Sequence, residues 1–82
     1  MSYKSKVNYW ISQYEDEDLS LELLKGMRDI VLKTLSHLSS TDTIGFTNSQ
    51  GDIFLELRND VAARHTAILY WIEELSWKEL EA

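Results

Sequence analysis

The chain has 82 residues, 44% hydrophobic and 27% charged, with a formal net charge of −6 and neither cysteine nor proline. Those figures argue against a disordered tail, a disulfide framework, a cysteine-based metal site and a non-specific nucleic-acid binder, whose surface must be basic. One small domain spanning 1–82 is expected. At this size only about 60% of the unfolded surface is buried, so the core must be efficient or shared with a second copy.

Met1 to Tyr14 lacks the continuous apolar stretch of a signal peptide. The longest apolar run, Ala67 to Ile72, falls far short of the ~18 residues of a membrane span. The chain reads as cytoplasmic, with no membrane insertion.

The spacing of Tyr3, Val7, Trp10, Ile11 and Tyr14 predicts a first helix from Ser2 to Tyr14. Lys4 and Lys6 oppose the helix dipole at its start, so its first turn is expected to fray. Glu15, Asp16, Glu17 and Asp18 end it and offer caps to the next helix. A metal site is a poorer reading of that run, because consecutive carboxylates on a helix fan outward.

A long second helix, Asp18 to Ser39, carries the stripe Leu24, Met27, Val31, Leu35 and Leu38. Leu21 and Leu32 widen it on one side, Leu23 and Ile30 on the other. An apolar arc of that width predicts a central helix packed from two directions. Gly26 inside it costs about 1 kcal/mol and permits a close backbone approach.

Between Thr43 and Arg58 two readings compete. Ile44 and Phe46 alternate, Asn48 to Asp52 supplies turn chemistry, and Ile53, Leu55 and Leu57 alternate again. Together these predict a short β-hairpin with Gly51 free to take a positive φ. The rival is a long helix starting near Asp52, because Phe54, Leu57 and Val61 also fit helical spacing. The hairpin is the preferred reading. The last helix then runs from Asp60 to about Leu80, capped by Asn59. The expected fold is α-dominated α+β, in the order helix, long central helix, short hairpin, helix; the alternative is an all-α bundle of three or four helices.

Chemistry finds little footing. His37 and His65 lack metal-ligand spacing, and each has a structural role available: His37 at a helix C-terminus, His65 half-buried beside the core stripe and bonded to a backbone or carboxylate group. The Asn48–Asp52 turn lacks the acids of a calcium loop, and no phosphate-loop or nucleophile-elbow pattern occurs. No enzyme, cofactor or metal is expected. A DNA-reading helix is disfavoured, since from Asp60 onward five acids face only Arg64 and Lys78.

The informative feature is on the last helix. Val61, Ile68, Ile72 and Leu75 form its core stripe, whereas Tyr70 and Trp77 point the other way among Thr66, Glu73 and Glu74. Tyr9 is likewise off its helix's stripe. Polar-tipped aromatics on an outer face are suited to anchoring a protein partner. Either they do so, or Trp77 folds back onto the first helix. The leading expectation is a small acidic accessory protein, of phage, plasmid or bacterial type, that regulates or inhibits a protein partner by covering its surface. Tyr70, Trp77, Glu73, Glu74 and Tyr9 are its contact residues, and the acids steer it to a basic partner. The alternatives are a structural homodimer, joined through paired hairpins or last helices, and an acidic mimic of nucleic acid.

Overall fold

The computed structural model describes residues 2–81, which form three α-helices and no strand: α1 (Tyr3–Glu17), α2 (Leu21–Ser39) and α3 (Asn48–Glu81). The α+β expectation is therefore overturned, and the all-α alternative with three helices describes the fold. No described helix is long and apolar enough to cross a membrane.

The hairpin fails for a local reason. Thr47 Oγ1 accepts the Gln50 backbone N–H at 3.2 Å, and Gln50 Oε1 accepts the Thr47 N–H at 3.0 Å. This reciprocal pair starts a helix where the sequence reading placed a turn. Gly51 has no positive φ and sits in the first turns of α3. Phe46 packs edge-on against Phe54, ring centres 5.6 Å apart, and braces the start of the helix. Ile53, Leu55 and Leu57 are left on the surface, so their period-two alternation had no sheet face behind it. Asn59, read as a cap, lies well inside α3.

The other boundaries follow from caps. Ser2 accepts the Ser5 N–H and starts α1. Asp18 closes α1 in a left-handed conformation, φ 50°, which a short polar side chain tolerates. Ser20, rather than the acidic run, caps α2 by accepting the Leu23 N–H.

The second helix is not the centre of the fold; α3 is. Its 34 residues span about 51 Å at 1.5 Å per residue, close to the molecule's longest dimension of 53 Å. Among the described residues α1 and α2 each pack their backbones on α3 and not on each other. Side-chain pairings set the directions. Lys6–Glu56, Trp10–Asp60 and Tyr14–Arg64 each join residues fifty apart, so α1 runs parallel to α3. Leu24 lies by Trp71 and Leu75, while Val31 and Thr34 lie by Val61 and Arg64, so α2 runs antiparallel. The core is small: Tyr14, Leu24, Val31, Ala67 and Ile68, with fully buried Ala63 beside it. Ala63 and Ala67 share a face with Glu56 and Asp60, and their small side chains admit α1 closely.

Candidate functional site

The seam between α1 and α3 is polar as well as apolar. Lys6 is buried and pairs with the Glu56 carboxylate, which is itself largely exposed. Trp10 Nε1 donates to Asp60 Oδ1 at 3.3 Å. Arg64 donates through Nε to the Tyr14 hydroxyl at 2.5 Å, and its guanidinium lies 5.0 Å from the centre of the Trp10 ring. Trp71 Nε1 reaches across to the Ile11 carbonyl at 2.9 Å. These groups lock the register of two helices, and none of the seam pairs was anticipated. A signal was present: residues 6, 10 and 14 and residues 56, 60 and 64 both step by one helical turn.

Two groups in the seam titrate away from their ordinary values. The hydrogen bond and charge of Lys6 hold the Glu56 carboxyl below the usual 4.5. Burial pushes the Tyr14 phenol above 10.0, despite the lowering pull of Arg64. A depressed carboxyl favours the fold above the unfolded value and loses that contribution as pH falls through the folded one. The phenol works in reverse: its contribution is present below pH 10.0 and disappears as pH rises through the folded value. Glu56→Gln is therefore expected to flatten the acid limb of a stability-versus-pH curve below about pH 4.5 and leave the alkaline limb alone. Urea titrations across that range check it. An unchanged acid limb would mean the pair is not formed in solution.

His65 is half-buried, as its position beside the core stripe suggested, yet its enclosed Nε2 has no hydrogen-bond partner among the described residues. The expected bond to a backbone or carboxylate group is not made at that atom. An enclosed, unpaired nitrogen costs about 1–3 kcal/mol. His65→Leu is expected to stabilise the fold by about 1 kcal/mol, read as a raised Tm at neutral pH. A lowered Tm would show that the ring is bonded after all.

The outer face of α3 holds the residues singled out for binding. Tyr70 is 42% exposed and Trp77 58% exposed, and Trp77 is not among the side chains packed on the core. Trp77 does not fold back onto α1. Tyr70 leans edge-on against Trp71, ring centres 5.2 Å apart, which fixes one side of its ring. Glu73 and Glu74 are exposed between the two aromatics. Leu69 and Leu80, also exposed, extend the same surface and were overlooked in the sequence. Spacings of four, four and three residues put Leu69, Glu73, Trp77 and Leu80 on one helical face, so periodicity could have found them.

Tyr9 is exposed too but lies elsewhere. It rests edge-on against Trp10 and lines an open groove with Lys6, Ile53, Leu57 and Asp60. The five proposed contact residues thus divide into a four-residue patch on α3 and one residue in a separate hollow. Among the described residues no three His, Asp or Glu side chains are grouped to hold a metal ion. No protein-family model, curated protein or solved structure matches the chain.

Proposed function

We propose that this protein is a small acidic binding module that regulates or inhibits one protein partner by covering part of its surface. The observation that carries the reading is the exposure of Trp77 on a helix whose opposite face is committed to the core. A tryptophan ring held in water on a rigid helix, beside a braced tyrosine, meets a partner with little loss of side-chain freedom. Leu69 and Leu80 enlarge the apolar area, and Glu73, Glu74 and Glu81 border it with negative charge. Such a rim accelerates encounter with a basic surface and makes the rate depend on salt. The apolar centre supplies the affinity. The reading places the protein in the cytoplasm and gives it no catalytic step.

The test is affinity capture from cells that encode the chain, with wild type and Trp77→Ala as paired baits, followed by titration of the purified captured protein. A partner bound by wild type and lost with Trp77→Ala supports the reading. Equal binding by both baits overturns it.

A further inference from the structure

One apolar flank of α2, beside its contact with α3, is unused. The width of its apolar arc predicted packing from two directions, and the protomer supplies one. Leu23 is 51% exposed and Ile30 69% exposed, while Met27 is only partly covered. Gly26 lies among them with nothing within 4 Å of where a Cβ would stand. Within one molecule, then, no close approach makes use of this glycine. The same stripe borders an open cleft over α3, where Met27, Ile30, Val31 and Thr34 face Val61 and Arg64.

We propose that α2 of a second copy lies along the shallow hollow formed by Leu23, Gly26, Met27 and Ile30, giving a two-fold homodimer in which the α2 helices cross antiparallel at Gly26 and Met27. The stripe is complementary to itself under that operation. With the axis between Gly26 and Met27, Leu23 meets the position of Ile30 in the other copy, and the Met27 side chain fills the space left by Gly26. Flanking this seam, Glu22 of one copy lies two residues, about 3 Å along the helix, from the level of Lys33 of the other, within reach of an ion pair, twice by symmetry.

Charge selects a second copy as the occupant. The whole chain is at −6, and α3 carries seven acids against three basic residues, so its surface repels a like molecule. Lys25, Arg28 and Lys33 against Glu22 and Asp29 make α2 net positive. Two copies that meet there keep their acidic α3 surfaces apart, and Glu22 and Lys33, at opposite ends of one flank of the stripe, offer opposite charges to an antiparallel copy. This surface is distinct from the outer face of α3, so it can be occupied while Trp77 engages a partner.

Sedimentation equilibrium of the full chain over a wide concentration range tests the proposal. Wild type is expected at twice the 9.6 kDa chain mass, and Ile30→Glu and Gly26→Leu at the chain mass with helical circular dichroism retained. Gly26→Leu is informative because the protomer has room for the side chain and the crossing has none. Glu22→Lys is expected to raise the dimer Kd about tenfold, and adding Lys33→Glu to the same chain to restore it. Because the protein has no cysteine, oxidised Met27→Cys is expected to cross-link into a dimer. A wild type that stays monomeric at millimolar concentration overturns the proposal. So does a dimer that survives both Ile30→Glu and Gly26→Leu, or one that cross-links through Trp77→Cys and not through Met27→Cys.

Discussion

Leu24→Ala is expected to lower the stability of the fold by about 2–5 kcal/mol, enough to unfold much of the population of a domain this size. Leu24 is 1% exposed and one of the two largest fully buried side chains. It sits where all three helices converge, near Tyr14 of α1 and Trp71 and Leu75 of α3. Removing three carbons there takes away their transfer free energy and leaves a void. The ring of Tyr14, tied to Arg64, and that of Trp71, tied to the Ile11 carbonyl, are poorly placed to move into it. Urea unfolding followed by circular dichroism gives the number. It should be run at matched protein concentration, since any self-association makes stability concentration-dependent. A loss below about 1 kcal/mol would mean that the site collapses freely and the core is looser than its burial implies. Leu23→Ala, one residue away and exposed, is the internal control: in a protein held monomeric by Ile30→Glu it should cost well under 1 kcal/mol.

Trp77→Ala is expected to do the opposite: leave unfolding unchanged within about 0.5 kcal/mol and weaken partner binding by about 2 kcal/mol or more. In affinity terms that is roughly a thirtyfold rise in Kd. Isothermal titration against the captured partner reads the binding change, and thermal unfolding reads the fold. A destabilised monomer with intact binding would assign Trp77 to the core and remove the basis of the proposed function. The surrounding acids should behave differently. Reversing Glu73 and Glu74 together is expected to slow association and reduce its salt dependence, with a smaller effect on dissociation, because exposed charge at a rim acts mainly through encounter.

The particular errors of the sequence reading have a common physical origin. Ile53, Leu55 and Leu57 alternate like a strand, but alternation stabilises a strand only where a second strand satisfies its backbone and a core covers one face. Neither exists among the described residues, while Thr47 and Gln50 satisfy the first free N–H groups of a helix at once. The capping pair is legible in the sequence as Thr47 and Gln50, three residues apart. The helix dipole predicts fraying around Lys6, yet Lys6 is one of the most buried residues, because Glu56, fifty positions away, offers it a carboxylate. No local pattern reports such a partner. For the candidate site, the outward pointing of Tyr70 and Trp77 followed from 100° per residue alone. The separation of Tyr9 from them did not.

What the sequence determined by itself was the existence of helices, their apolar stripes, and the commitment of one face of the last helix to aromatics and acid. These depend on interactions within four residues and on the angle between successive side chains, both written in the order of residues. Only the tertiary structure decided which helix lies at the centre, how α1 and α2 flank it without packing their backbones together, and which flank of α2 stays bare. Those outcomes depend on which side chains pack or pair across fifty residues, where volume, charge and direction must all match at once.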